Sequence, residues 1–358
     1  MTFERYMSLC LYHPEYGYYT RGQERTGVEG DYFTSPDLHP VFARLLARQA
    51  AEMWTAMERP TPFTWVEMGA GRGFFACDFL AWSAKALPGF FAALDYVAIE
   101  PGALQRQQIG VRLAAAGVAS KVRLLPNLDE ITPVSGCFFS NELVDAFPVN
   151  VVTRVGGRLR EIYVTATDDE LREIPGSISD TAIAAYVARY AHQLEEGHRV
   201  EVNRHGQTWI RSIAEKLACG FVLTIDYGDM ANRLFTLDRP RGTLLAYHGH
   251  SANEDYFTAP GETDLTAHVN FTALIDAGKS AGLEVAGFTT QEKFLLALGE
   301  ANQFADLYDD GQSDVEKLNA RLKLKRLISP EGMGNIFKVL IQQRGMANIS
   351  LTGFKFEQ

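Results

Sequence analysis

The segment 63–73 reads FTWVEMGAGRG, an apolar run that ends in an acid and then places glycine at positions 69, 71 and 73. A glycine-rich turn between a strand and a helix lets backbone N–H groups approach a ligand that a Cβ would repel, and the following helix N-terminus adds partial positive charge. The chemistry this serves is the holding of a nucleotide-like cofactor. A dinucleotide fingerprint needs its third glycine at position 74, which is Phe74, so G-x-G-x-x-G fails by one residue. The pattern Glu67-x-Gly69-x-Gly71-x-Gly73 is more typical of a site for S-adenosylmethionine (SAM). Another nucleotide, or a purely structural turn, stays open on this motif alone.

Further strand ends carry polar residues that extend such a site. Glu100 closes the run Tyr96-Val-Ala-Ile-Glu100, about 30 residues after the loop, where a carboxylate can accept hydrogen bonds from both ribose hydroxyls. A solvated acid at a strand end is the plainer alternative. Asn127 and Leu128 follow the next run, where an adenine would lie, the amide bonding to the base and the leucine packing on it. The run Gly136-Cys-Phe-Phe-Ser140 delivers Asn141, Glu142 and Asp145 to the carboxyl end of a fourth strand, the end at which open α/β sheets bind ligands. Asn141 is placed with the cofactor. If a helical turn begins here, Glu142 and Asp145 lie three apart on one face and can grip a single cationic group. Otherwise they are first-turn acids stabilised by a helix dipole. Asp226, at the end of a later apolar strand, faces a substrate channel or caps a turn. His248 and His250 stand at i, i+2 with no acid or cysteine at ligand spacing, so no metal site is expected.

These residues need a parallel sheet to hold them. The periodicity predicts strand 63–68, helix 74–87, strand 94–99, helix 102–116, strand 121–125 and strand 134–140, a βαβ alternation that implies helices on both faces. An amphipathic helix over 40–57 precedes them. After Pro148 the runs 149–155 and 159–164, split by Gly156-Gly157, read as a β-hairpin. A helix near 180–195, a short strand 198–202 and a helix near 207–218 lead to the strand 221–226. Helix 271–281, strand 283–288, helices near 291–308 and 313–327 and a strand 335–342 follow, the last two strands forming an antiparallel pair in a seven-stranded sheet. The expected organisation is an N-terminal arm and helix acting as a lid (1–60), the cofactor-binding half of the sheet domain (61–148), a hairpin and helical insertion (149–205), the remainder of the domain (206–344) and a tail (345–358). Tyr16, Tyr18, Tyr19, Tyr32 and Phe33 of the arm can close over a cofactor and exclude water, or simply pack.

At 358 residues the chain can bury a large core, and 46% hydrophobic with 22% charged residues is ordinary for a globular protein. A formal net charge of −10 argues against a primary role on nucleic acid or anionic lipid and suits a basic protein partner. Cys10, Cys77, Cys137 and Cys219 form no C-x-x-C pair, so neither a disulfide framework nor a zinc site is indicated. No run of about 18 apolar residues offers a membrane span, and no leader is evident, so the expected location is cytoplasmic.

Six blocks in order, GDYFTSP from Gly30, EMGAGRG from Glu67, NELVDAFPV from Asn141, IDYG from Ile225, GTLLAY from Gly242 and DLTAHVNF from Asp264, resemble the MidA family of SAM-dependent methyltransferases. The resemblance spans about residues 5–343. It implies a class I methyltransferase fold, an α/β architecture with a seven-stranded, mostly parallel Rossmann-like sheet. For the mitochondrial members it implies symmetric dimethylation of an arginine on the large NADH dehydrogenase core subunit, in assembly of respiratory complex I. The sequence departs from the family at Ala70 (usually Pro), at Phe74-Phe75 (usually Thr-Leu) and at Pro101-Gly102 (usually Ser-Pro). Under this resemblance Glu142 and Asp145 hold a protein arginine, and His268 forms the other wall or relays the proton; a structural loop histidine is the plainer alternative for His268. A small-molecule methyltransferase and a non-catalytic assembly factor remain the alternatives, and a homodimer is compatible with all of these.

Overall fold

The computed structural model describes residues 1–21, 35–167, 170–248, 251–347 and 349–357. The expectations for Tyr32, Phe33 and His250 lie outside the described residues. The chain forms two compact units, one of Phe33–Leu143, Arg211–Asp226 and Gly278–Gln358, the other of Met1–Tyr32, Val144–Ile210 and Tyr227–Ala277. Residues 1–21 thus fall in a different unit from the helix Val41–Ala56.

The first unit is built on seven strands: β1 (Phe63–Met68), β2 (Leu94–Ile99), β3 (Val122–Leu125), β4 (Val134–Asn141), β5 (Leu217–Asp229, of which the part up to Asp226 belongs to this unit), β6 (Glu284–Thr290) and β7 (Phe337–Arg344). Their order across the sheet is β3-β2-β1-β4-β5-β7-β6. Strands β1 to β5 pair in parallel and β6 with β7 antiparallel, which is the class I methyltransferase arrangement. All six residues of β1 are buried, as a strand covered on both faces requires. Trp65 packs against Phe79 and Phe139 with ring centroids 4.8 and 5.3 Å away, and Phe75 stacks on Phe139 at 4.5 Å. The departure at Phe75 therefore fills core. Strand order reverses between β1 and β4, which opens the ligand crevice at the carboxyl ends of these strands.

The second unit carries a four-stranded antiparallel sheet of Glu170–Gly176, Arg158–Thr167, Asn150–Val155 and Arg199–Val202, in that order. Gly156 and Gly157, both left-handed at φ 59° and 73°, make the tight turn of its hairpin. Strand alternation splits its side chains between two cores. Val151, Ile162 and Val164 meet Phe3, Tyr6, Met7 and Leu11 of the helix Phe3–Tyr12, while Val152, Val200 and Val202 meet Ile183, Tyr186 and Val187 of the helix Thr181–Tyr190. A small sheet of Leu245–His248, Ser251–Asn253 and Asp264–Thr266 completes the unit.

Several elements differ from expectation: the helix near 180–195 ends at Tyr190, and the strand Glu170–Gly176 and the small three-stranded sheet were not expected. No helical turn begins at Asn141: Glu142 takes a left-handed φ of 51°, which ends β4 in a kink instead. The helix over 291–308 stops at Glu300, because Gln303 and Phe304 are left-handed at φ 54° and 57°.

Candidate functional site

The glycine loop leaves β1 with its backbone pinned by β2. The N–H groups of Gly69 and Ala70 both donate to the carbonyl of Ile99, at 2.9 and 3.1 Å. A proline at 70 has no N–H for that second bond, so Ala70 changes how the loop is held. Gly69, Gly71 and Gly73 all lie in the left-handed region, at φ 73°, 52° and 75°. Gly73 is the N-cap of the helix Phe74–Ala86, and a Cβ there would stand 3.0 Å from Ile109 Cγ2. Gly71 is exposed, with nothing nearer than its own loop's Gly69 carbonyl at 4.0 Å from where a Cβ would sit. Phe74, in place of the dinucleotide glycine, lies under the Arg112 guanidinium at 3.8 Å.

Glu67 and Glu100 flank this loop from opposite sides of the burial boundary. Glu67 is 5% exposed and accepts the Tyr96 hydroxyl at 2.7 Å; burial pushes its carboxyl up to about 8, against the pull of that hydrogen bond. Glu100, half-buried at the end of β2, accepts the N–H of Gly71 and the N–H of Gly102, each at 3.0 Å. Burial raises its carboxyl and these two donors oppose the shift. Asn127 is exposed and its side-chain Oδ1 accepts the Asp129 N–H at 3.0 Å, capping the short turn Leu128–Glu130; Leu128 is half-buried. Asn141 ends β4 beside the loop, donating to Glu142 Oε1 at 2.9 Å, while its own Oδ1 is buried without a hydrogen-bond partner. The same Glu142 oxygen accepts the Ser35 N–H at 3.1 Å. Asp226 is fully buried and accepts the Leu143 N–H at 3.2 Å, which favours the turn-capping alternative for this acid.

In the other unit the structure brings Asp145 and His268 together through a residue that was read only as part of the Ile225-Asp-Tyr-Gly228 block. The Tyr227 hydroxyl donates to Asp145 Oδ2, and its ring meets His268 edge to face at 5.4 Å. Asp145 is 4% exposed; burial pushes its carboxyl above the usual carboxylate range and the Tyr227 bond pulls the other way. The Asp145 carbonyl accepts the Ala267 N–H at 3.0 Å, one residue from His268. The aromatic arm packs in this unit too. Tyr18 is 1% exposed in the core, Tyr12 donates to the Ala146 carbonyl at 2.9 Å, Tyr19 donates to Asp264 at 2.9 Å, and Tyr16 is exposed.

The first unit fits SAM on its own geometry: exposed backbone at Gly71 with room where a Cβ would stand, a strand-end acid bonded to that residue, and an unsatisfied amide oxygen at the end of the neighbouring strand. Among the described residues no group of three His, Cys, Asp or Glu is placed to hold a metal, and no helix is long and apolar enough to cross a membrane.

Comparisons with known proteins agree with that geometry. A Burkholderia thailandensis protein crystallised with S-adenosyl-homocysteine is 32% identical and superposes with a TM-score of 0.88, over 99% of this chain and 90% of that one. Protein arginine methyltransferase NDUFAF7 of Homo sapiens is 26% identical over 373 residues, 96% of this chain and 81% of its own length. The Drosophila melanogaster homolog is 25% identical over 368 residues, 95% of this chain and 81% of its own. Both carry the word mitochondrial in their names, which overturns the expected cytoplasmic location. The physical reason is that composition and the lack of an apolar run bear on membrane spanning, not on which aqueous compartment a protein occupies. A family model for S-adenosyl-L-methionine-dependent methyltransferases matches residues 45–289. With fold, loop and relatives in agreement, the chain belongs to this family, the MidA-like SAM-dependent methyltransferases.

Proposed function

We propose that this chain methylates an ω-nitrogen of an arginine in a protein partner, the large core subunit of NADH dehydrogenase. The names of its relatives support the arginine, and the family resemblance supports the complex I target. SAM supplies a methyl group on a sulfonium sulfur, and the transfer leaves the thioether S-adenosylhomocysteine. Gly69, Gly71 and Gly73 are assigned to its backbone contacts, with Glu67 beneath the loop. Glu100 is assigned to the ribose, Asn127 and Leu128 to the adenine, and Asn141 to the remaining polar contact.

The residues left over must solve an acid–base problem. A guanidinium, with a pKa above about 12, has no lone pair to offer until it loses a proton. Glu142 is assigned to the substrate, where a charge-assisted hydrogen bond orients the guanidinium and holds its positive charge away from the attacking nitrogen. Asp145 is buried against Tyr227, so it is assigned with Tyr227 and His268 to the proton. The observation that carries this reading is that single tyrosine, joined to the carboxylate by its hydroxyl and to the imidazole by its ring.

The test is mass spectrometry of complex I subunits from cells with and without this protein, together with calorimetry against SAM. The expected result is loss of methylation at one arginine of the large core subunit when the protein is absent. An unchanged methylation pattern despite SAM binding would overturn the proposed target.

A further inference from the structure

A buried acid outside the assigned residues is tied to the loop that carries His268. Glu201 lies on the strand Arg199–Val202, whose Val200 and Val202 enter the core under the helix Thr181–Tyr190. Alternation turns Glu201 to the opposite face, where it is 4% exposed. Its Oε1 accepts the N–H of Thr243 at 2.9 Å and that of Leu244 at 3.3 Å, and its Oε2 accepts the Thr243 hydroxyl at 2.9 Å. Gly242 makes this approach possible: it sits at φ +79°, and a Cβ on it would stand 2.1 Å from Glu201 Oε1. Three donors from one short segment thus converge on a single carboxylate, which offsets the cost of burying it.

The hydroxyl of Thr243 has one proton, which it gives to Glu201, and its lone pair accepts the backbone N–H of His268 at 3.1 Å. The preceding N–H, that of Ala267, is taken by the Asp145 carbonyl at 3.0 Å. Two consecutive amides of the 267–268 loop are therefore fixed by two different partners. Their bonds set the backbone from which the imidazole meets Tyr227. From this arrangement we propose that Glu201 is a positioning residue for His268, acting through the Thr243 hydroxyl. The inference rests on the assignment of His268 to the proton.

The test uses the whole protein with Thr243→Val, which keeps the branched shape and removes the hydroxyl, and Thr243→Ser, which restores it. Methyl transfer is read on the large NADH dehydrogenase core subunit isolated from cells lacking the protein. Amide hydrogen exchange at His268 and the titration of its ring by NMR give readouts independent of turnover. In Thr243→Val, exchange at His268 speeds up on the order of tenfold, kcat falls about tenfold with KM little changed, and the ring titration moves. Thr243→Ser restores all three. Unchanged exchange and ring titration in Thr243→Val would overturn the link to His268. Faster exchange with unchanged kcat would reduce it to a structural bond and overturn its part in the reaction. His268→Ala with full activity would place the failure in the assignment of His268 itself, while exchange in Thr243→Val would still report on the strut.

Discussion

The Glu100 carboxylate accepts the backbone N–H of Gly71 at 3.0 Å, so the acid that ends β2 ties down the glycine loop that ends β1. The two motifs, 29 residues apart in sequence, form one hydrogen-bonded unit at the crevice. This relationship separates two effects of loop substitution. Gly71→Ala meets no clash within the protein and costs about 1 kcal/mol for a left-handed alanine, yet it places a methyl group on the exposed face of the loop. Gly73→Ala adds a contact at 3.0 Å with Ile109 to the same strain and destabilises the chain more. Thermal unfolding ranks Gly73→Ala below Gly71→Ala, and calorimetry finds SAM affinity lowered by more than about tenfold in Gly71→Ala. Near wild-type affinity in that variant would remove the loop backbone from the cofactor site.

Glu67 makes stability depend on pH. Its carboxyl is held at about 8 in the folded chain, against an ordinary 4.5. Between these values the folded chain keeps a proton that the unfolded chain releases, so stability is greatest at the acid end and falls as pH rises towards 8. The slope from this group is at most about 1.4 kcal/mol per pH unit, and it flattens above the folded value. Glu67→Gln retains an acceptor for Tyr96 and removes this contribution. Urea unfolding of both proteins at about pH 5 and about pH 9 checks it. The variant gains relative to the parent at the alkaline end; equal slopes would mean Glu67 is already ionised in the fold.

Glu142 pairs function with backbone strain. Its φ of 51° is unfavourable for any residue with a Cβ, and the fold holds it there at the end of β4, with the carboxylate accepting from Ser35 and Asn141. Glu142→Ala and Glu142→Gly both lose that carboxylate, and they differ in the strain alone. The glycine variant is more stable by about 1 kcal/mol in chemical denaturation. Glu142→Gln abolishes turnover while SAM affinity stays within a few fold, because the residue is assigned to the substrate. Loss of SAM binding in the glutamine variant would move Glu142 to the cofactor instead.

Long periodic elements were legible in the sequence because one physical signal covers them. β1 to β4 are apolar runs bounded by breakers, and the order of blocks placed the glycine loop and Glu100 at adjacent strand ends. The small sheet of Leu245–His248, Ser251–Asn253 and Asp264–Thr266 left no such signal, since three or four residues are too few to show a period. The strand Glu170–Gly176 was missed because Glu170 and Arg172 stand at exposed positions and Pro175 interrupts it, so no apolar run marks it. At the candidate site the limit was different. Asp145 and Tyr227 are 82 residues apart, and nothing local marks a tyrosine as the partner of a distant aspartate. The conditional helix at Asn141 failed because a left-handed backbone at a glutamate is set by its surroundings, not by propensity.

Tyr227→Phe isolates the hydroxyl from the ring. The phenylalanine keeps the edge contact with His268, and Asp145 loses a donor that pulls its carboxyl down against burial. Without it the Asp145 carboxyl rises further. A carboxylate that must be ionised to take a proton then becomes competent only at higher pH, so the acid limb of kcat moves to higher pH and turnover at neutral pH falls on the order of tenfold. Stability follows the same sign: a carboxyl raised in the fold loses stabilisation as pH increases, so the cost of the substitution, about 1 to 3 kcal/mol for an unmade buried bond, is larger at alkaline than at acid pH. SAM affinity is unchanged, because Tyr227 is assigned to the proton and not to the cofactor. A pH–rate profile measured with saturating SAM decides the matter. A uniform drop in kcat with no movement of the acid limb would mean that Tyr227 only fills space beside His268, and Asp145 would then have to be withdrawn from the proton's path.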